Sequence, residues 1–322
     1  MQLSALDQSP VFTSAQAALA ETARLALHCE ALGYSRYWVA EHHGSASFAG
    51  CAPEVLIAHL ASLTERIRIG SGGIMLMHYS PYKVAELFRT LETLHPDRID
   101  LGLGRAPGSD AWTAGALAYG SKTTHLEFFG QKLGDLLAFL SDREPATRAF
   151  RRVHISDGLQ PCPQPWMLVS SPEGARGAAA AGLGMALAHF ISPECLELGT
   201  LYREHFNREG PWKTPRICLA THALAADTQD EADYYARPGA LWRTRVARGE
   251  FVRFTPPEAV DEDAAPAVEE ARRRLVGPAD QVAQALSELV ERAGADELML
   301  VTITTEEARR RSYTLLAEAL ID

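Results

Sequence analysis

Glu41-His42-His43 places one carboxyl group beside two imidazoles, directly after a run of large and β-branched residues at 37–40 that predicts a buried strand. An imidazole titrates near neutral pH, so it can exchange protons with a bound substrate or cofactor. A neighbouring carboxylate can orient the imidazole or raise its pKa. Glu41, His42 and His43 are therefore candidate catalytic residues. The alternative is structural, since polar residues at the end of a strand often satisfy loop backbone.

A metal site is a weaker interpretation of the same residues. Their spacing matches neither His-x-His nor His-Glu-x-x-His, so a metal ion would need ligands from distant parts of the chain. We therefore predict no metal site.

Gly72 and Gly73 interrupt a predicted strand that runs from residue 67 to residue 76. Glycine inside a strand costs conformational entropy, so it typically marks a bulge or a place where a ligand or another backbone comes close. A flat aromatic cofactor would need such a wall without side chains. A simple bulge at a barrel corner is the alternative.

A candidate anion site lies where a predicted strand passes into an alanine-rich helix, at Ser170-Ser171-Pro172-Glu173-Gly174. Backbone N–H groups at a helix start, together with two hydroxyls, can bind a phosphate. Arg105, which follows another predicted strand, can add a planar and permanently charged guanidinium. Ser171 is also placed to cap the helix, and the two roles are compatible.

Strand and helix signals alternate eight times along the chain. The strands are continuous apolar runs, which is typical of parallel strands covered on both faces. This pattern predicts an α/β fold, a (β/α)8 TIM barrel over residues 1–322 as one domain, with the active site at the C-terminal ends of the strands. Residues 106–124 and 236–275 are predicted insertions at that face and are expected to supply a lid. An open doubly wound sheet is the rival, but the phosphate-binding glycine pattern G-x-G-x-x-G is absent.

Composition excludes several classes of function. The 322 residues include 31 Lys+Arg and 41 Asp+Glu, a net charge of −10, which disfavours binding to nucleic acid or to a membrane surface. No apolar run approaches about 20 residues, and the first residues lack a basic and an apolar export region. Five scattered cysteines without a C-x-x-C pair indicate reduced thiols, hence a cytoplasmic protein.

Several ordered motifs together resemble those of the bacterial luciferase-like flavin monooxygenases, in particular the single-chain, alkanal-monooxygenase-like members. The similarity extends over nearly the whole chain. Its motifs are residues 41–43, 70–76, 80–86, 98–105, 275–278 and 296–298.

The resemblance implies a barrel that takes FMN, delivered reduced by a separate flavin reductase, and O2. A flavin peroxide would then oxygenate a small organic substrate, and a homodimer is expected. Three alternatives stay open. They are an F420-dependent oxidoreductase of the same fold, a metal-dependent hydrolase, and a non-catalytic flavin-binding protein.

Single residues match the family's motifs. His42 matches the catalytic histidine near the reactive edge of the flavin, and Glu41 and His43 are candidate groups beside it. Gly72 and Gly73 match a pair, often joined by a cis peptide, that lies behind the flavin ring.

The matched phosphate-binding positions are Arg105, Ser170 and Ser171. Gly174 departs from the pattern, because many relatives carry a serine or threonine there. Its backbone N–H remains available to a phosphate. Gly104 stands where the luciferase subunit has a reactive cysteine, so light emission is not implied.

Overall fold

The computed structural model describes residues 1–160, 163–260 and 275–321. Most of the strands are short and fully buried, as their apolar sequences predict. The described residues form ten strands, which are in chain order β1 (Leu3–Asp7), β2 (Arg36–Val39), β3 (Arg68–Met75), β4 (Ile99–Gly104), β5 (Gln164–Val169), β6 (Gly184–Ala188), β7 (Ile217–His222), β8 (Leu224–Ala226), β9 (Val276–Pro278) and β10 (Glu297–Val301).

Eight of these strands form a closed parallel barrel, in the order β1-β2-β3-β4-β5-β6-β7-β10. Closure comes from β1, which pairs in parallel with both β2 and β10. The short strands β8 and β9 pair with each other outside the barrel. The predicted (β/α)8 barrel is confirmed, and its strand ends gather at one face.

Helices connect the strands and cover the barrel. In chain order they are α1 (Ala15–Ala31), α2 (Pro53–Leu63), α3 (Pro81–Leu94), α4 (Ala111–Ala118), α5 (Phe129–Leu140), α6 (Pro172–Ala181), α7 (Leu198–Glu204), α8 (Gln229–Ala247), α9 (Ala279–Ala293) and α10 (Glu306–Leu320).

Adjacent residues of a strand supply two apolar layers, because successive side chains point to opposite faces. Tyr37 belongs to the layer between the strands and the helices. Trp38 belongs to the layer inside the barrel, where its ring centroid lies 5.6 Å from that of Trp166. The barrel is thus filled with side chains and leaves room for a ligand only at an end.

The two predicted insertions contain more regular structure than the sequence indicates. Residues 106–124 include α4, which has no buried residue and thus no apolar face to reveal it. Residues 236–275 begin inside α8, which continues through Pro238. The remainder of that segment from residue 261 to residue 274 lies outside the described residues. Among the described helices, none has the length and apolar character needed to cross a bilayer.

Candidate active site

A cavity of about 740 Å³ lies at the C-terminal ends of the barrel strands. Most of the predicted site residues line it, and they come from four different strand ends. These lining residues are Glu41, His42, Gly72, Arg105, Ser170, Ser171 and Gly174. The structure therefore brings the imidazole, the glycine and the anion site together in one space. His43 and Gly73 are not part of its lining.

The His42 imidazole faces this cavity in a largely buried position. Burial, with a smaller contribution from the charge of His43, lowers the pKa of His42 from 6.5 to about 4, so its ring is neutral at pH 7. Its Nδ1 is buried and has no hydrogen-bond partner among the described residues. A buried polar atom without a partner is costly, and a bound ligand is one way to supply the missing hydrogen bond.

An aromatic cluster behind His42 fixes the tilt of its ring. The imidazole stacks on Phe48 with ring centroids 4.6 Å apart. Phe48 packs in turn against Trp242, at 5.3 Å, and Phe254, at 5.6 Å. The Trp242 indole N–H also donates a 2.9 Å hydrogen bond to Ser47 Oγ. Part of the predicted second insertion thus supports the loop that carries His42.

Glu41 is fully buried and acts as a hydrogen-bond acceptor for three groups. Its Oε1 lies 2.6 Å from His43 Nε2 and accepts a 2.6 Å hydrogen bond from the Tyr79 hydroxyl, while its Oε2 accepts one from the Met75 N–H at 2.9 Å. Burial and the hydrogen bond to Glu41 raise the pKa of Tyr79, so the Tyr79 hydroxyl stays protonated. His43 is therefore held by Glu41 beside the cavity, and Glu41 anchors the loop to the end of β3.

A cis peptide joins Gly72 and Gly73, as the family resemblance implies. The pairing of β3 with β4 is irregular between Ser71 and Ile74, so the bulge that the sequence allowed is present. A Cβ at Gly73 would lie 2.7 Å from the backbone oxygen of Gly102 in β4. Close strand packing therefore requires glycine at Gly73, and only Gly72 forms part of the cavity wall.

The anion site lies at the start of α6. Ser171 is the N-cap, and its Oγ accepts a 3.2 Å hydrogen bond from the Gly174 N–H. Arg105 Nη2 lies 3.4 Å from the same Oγ, and Arg105 Nη1 lies 3.5 Å from Glu173 Oε1. The Ser171 hydroxyl, the Arg105 guanidinium and the N-terminus of α6 therefore lie close together. Such an arrangement is suited to binding a phosphate. The capping role and the anion-binding role are compatible in this geometry.

Sequence reasoning missed Gln8 as a cavity residue. Gln8 follows β1 and lines the cavity, and its Oε1 is buried without a hydrogen-bond partner among the described residues. Apolar residues form much of the remaining wall, among them Met75, Met77, Phe190 and Ile191. The only sequence signal for Gln8 is its position directly after the first strand.

Histidines at other strand ends have different surroundings. His189 follows β6, and its Nδ1 lies 2.8 Å from the Thr221 hydroxyl. His222 ends β7, with Nδ1 3.2 Å from the Val301 carbonyl oxygen. Neither lines the cavity. Within the described ranges, no group of three or more His, Cys, Asp and Glu side chains is arranged to hold a metal ion.

A family model described as luciferase-like monooxygenase matches residues 1–297. The uncharacterized protein YwcH of Bacillus subtilis (strain 168) is 42% identical, and the match covers 100% of both chains. The N-acetyl-S-alkylcysteine monooxygenase of the same organism is 33% identical over 100% of this chain and 98% of that protein.

Solved structures share the fold. The apo-MsnO8 structure superposes with a TM-score of 0.87 at 35% identity, covering 99% of this chain and 98% of that one. The oxygenating constituent of 3,6-diketocamphane monooxygenase from Pseudomonas putida, solved in complex with FMN, gives a TM-score of 0.71 at 17% identity over 99% and 98% of the chains. An F420-dependent secondary alcohol dehydrogenase gives 0.67 at 14% identity, also over 99% and 98%.

Proposed function

The chain belongs to the luciferase-like monooxygenase family and is an oxidoreductase, and on that premise we propose that it is an FMN-dependent monooxygenase. It takes reduced FMN from a separate reductase and uses O2 to oxygenate a small organic substrate. One observation carries the proposal: His42, Gly72 and the anion site formed by Arg105 and Ser171 line the same cavity.

The residues present fit FMN. The Arg105 guanidinium, the Ser171 hydroxyl and the Gly174 N–H are donors suited to its phosphate. Gly72 gives a wall without a side chain for the flat ring. The ring system also carries N–H and C=O groups, which are the partners that His42 Nδ1 and Gln8 Oε1 lack.

Reduced FMN, when bound, supplies the electrons that activate O2 toward an organic substrate. The protein contributes a neutral His42, because a pKa near 4 leaves the ring able to accept a proton at pH 7. Glu41 positions the loop that carries His42 through the Met75 N–H and Tyr79. The apolar wall excludes water, which protects reactive species from hydrolysis.

The decisive experiment is an anaerobic titration with reduced FMN and, in parallel, reduced F420, followed by addition of O2 and a substrate panel. The panel contains aldehydes, alkanes, sulfonates and an N-acetyl-S-alkylcysteine, the last because a relative is named for that substrate. We expect tighter binding of FMN and oxygen-dependent formation of an oxygenated product. Tighter binding of F420 with hydride transfer would favour the F420-dependent alternative. FMN binding without any turnover would favour a flavin-binding protein.

Three further features belong to the proposal. The whole chain, 1–322, acts as one domain, which is supported by the 2.9 Å hydrogen bond from the Met1 amino group to the Leu320 carbonyl oxygen. The protein forms a homodimer, since α2 and α3 expose the apolar side chains Val55, Leu63 and Leu94. It acts in the cytoplasm, in keeping with the free thiols of the four described cysteines.

A further inference from the structure

A second cavity, of about 560 Å³, lies beside the first, between the start of α3, α5 and the turn near residue 150. Five aromatic rings line it: Tyr79, Tyr82, Phe128, Phe139 and Phe150. His78 lines both cavities, so the two spaces adjoin at this side chain. The other lining residues include the polar side chains of Gln131, Lys132, Asp135 and Thr147. A concave space that combines aromatic walls with polar groups is the usual form of a small-molecule site.

Lys132 is the charged group that stands out in this wall. It is 9% exposed, and its Nζ donates hydrogen bonds to the backbone oxygens of Met77, at 2.8 Å, and Tyr79, at 2.9 Å. An ammonium carries three N–H donors, so one remains after these two bonds. Burial lowers the pKa of Lys132, which means that its charge is poorly compensated where it lies.

No carboxylate of the described residues forms an ion pair with Lys132. Asp135 lies one turn further along α5 and lines the same cavity, but its oxygens accept hydrogen bonds from the Thr147 N–H and hydroxyl. A buried charge is costly unless it is paired and hydrogen-bonded. An anion that enters this cavity would supply the missing partner.

We propose that the second cavity binds an organic anion, with its carboxylate or sulfonate on Lys132 and its apolar body among the aromatic rings. The proposal does not depend on the FMN assignment, because its cavity and its charged residue are separate from Arg105 and α6. Such a ligand would also touch residues that position the first cavity. Tyr79 donates to Glu41 at 2.6 Å, and His78 Nε2 lies 2.6 Å from the Pro107 carbonyl oxygen.

A pair of fluorescent dyes tests the site on the full chain. The probes are 1-anilinonaphthalene-8-sulfonate, an aromatic anion, and N-phenyl-1-naphthylamine, which has the same ring system without the sulfonate. We expect Lys132→Met to weaken binding of the sulfonate dye at least tenfold and to change binding of the neutral dye less than twofold. Retained binding of the neutral dye shows that the cavity is intact in the variant.

Matched variants locate the effect. Lys132→Arg keeps the charge and is expected to retain sulfonate binding, whereas Arg105→Ala removes a cation from the first cavity and is expected to leave it unchanged. Asp135→Asn removes a negative charge from the wall of the same cavity and is expected to leave binding equal or tighter. Sulfonate affinity that survives Lys132→Met, or that falls only with Arg105→Ala, would overturn the proposal.

A displacement assay distinguishes anions that are turned over as substrates from anions that only bind. Carboxylates and sulfonates that displace the dye are incubated with reduced FMN and O2. A compound that displaces the dye and is consumed is a substrate that reaches from this cavity into the first one. A compound that displaces the dye without being consumed is a ligand of the second cavity alone. Both results support an anion site, and a panel in which no aromatic or aliphatic anion displaces the dye counts against it.

Discussion

Two pairs of buried polar residues, one pair at each end of the barrel, differ in whether their hydrogen bonds are satisfied. At the N-terminal end, Asp100 and Glu297 are almost fully buried, and every one of their carboxylate oxygens accepts a hydrogen bond. Arg36 joins them, with Nη1 2.7 Å from Asp100 Oδ2 and Nε 3.0 Å from Glu297 Oε1. At the C-terminal end, Gln8 Oε1 and His42 Nδ1 are buried without partners in the part of the chain that the structure describes.

This difference distinguishes the paired carboxylates, which stabilise the fold, from the unpartnered atoms, which are free to bind a ligand. A buried ion pair with all its hydrogen bonds satisfied is destabilising to break, because its loss leaves a charge unpaired. A buried atom without a partner already carries its cost in the free protein, so its removal leaves stability equal or higher. The comparison therefore predicts opposite responses to substitution in these two pairs.

The largest effect is expected at the N-terminal end. Asp100→Ala leaves Arg36 and Arg68 without their shared carboxylate and should lower the free energy of unfolding by about 3–5 kcal/mol, measured by urea denaturation. Glu250→Ala, at an exposed position shortly after α8, is the control and should change the free energy of unfolding by less than about 0.5 kcal/mol. A loss below about 1 kcal/mol in Asp100→Ala would remove the basis of the comparison.

At the C-terminal end, His42→Ala should lower product formation about a hundredfold, because it removes the proton acceptor. The dissociation constant for FMN should stay nearly constant. His189→Ala is the matched control, since His189 has a partner in Thr221 and does not line the cavity. Wild-type turnover in His42→Ala would exclude the proposed role.

The same substitution changes the pH dependence of stability. The folded pKa of His42, about 4, is below the unfolded value near 6.5, so protonation favours the unfolded chain. Wild-type protein should therefore lose stability as the pH falls from 6.5 to 4. Urea midpoints across that range should decline less steeply in His42→Ala.

Arg105→Ala tests the anion site and should weaken FMN binding about 10-fold to 100-fold, the range for a hydrogen bond to a charged group. Glu173→Gln is expected to have the opposite effect on FMN binding. The Glu173 carboxylate lies 3.5 Å from Arg105 and competes with a phosphate for the guanidinium. The variant should bind FMN equally well or more tightly. Equal affinity in wild type and Arg105→Ala would rule out this phosphate position.

Gln8→Leu should leave the free energy of unfolding unchanged or raise it by about 1 kcal/mol, because it removes a buried oxygen without a partner. Ligand affinity in the first cavity should decrease at the same time. A clear loss of stability would mean that Gln8 supports the fold, as Asp100 does.

The smallest effect is expected from Gly174→Ser, which adds a hydroxyl at the candidate anion site. A Cβ there would lie 3.3 Å from Val169 Cγ1, so its neighbour must yield slightly. We expect FMN to bind a few times more tightly, as measured by fluorescence titration. Weaker binding would show that crowding at Val169 outweighs the added hydrogen bond.

The strands of the barrel could be predicted from sequence because parallel buried strands leave a continuous apolar signal. Helix α4 could not, since its residues are alanine-rich and none is buried. Helix α8 continues past Pro238, although proline usually ends a helix, and packing against its neighbours holds it together. Sequence periodicity contains neither the packing that supports α8 nor a buried face for α4.

The candidate site, like the fold, could be predicted from the sequence only in part. Strand-end position alone was enough to place His42, Arg105 and Ser171 on one face. It could not show that His43 turns to Glu41, or that Gln8 turns into the cavity, because side-chain direction in a loop depends on contacts made by distant residues. Whether a nitrogen or oxygen lacks a partner is likewise a property of the folded chain.

The aromatic support of His42 has an evolutionary consequence. Trp242 and Phe254 do not line the first cavity, yet they set the packing of Phe48 and hence the orientation of the imidazole. Substitutions at Trp242 or Phe254 can therefore change the reactivity of His42 without replacing any residue that lines the cavity. During evolution, the reaction rate and the choice of substrate can thus change through different sets of residues.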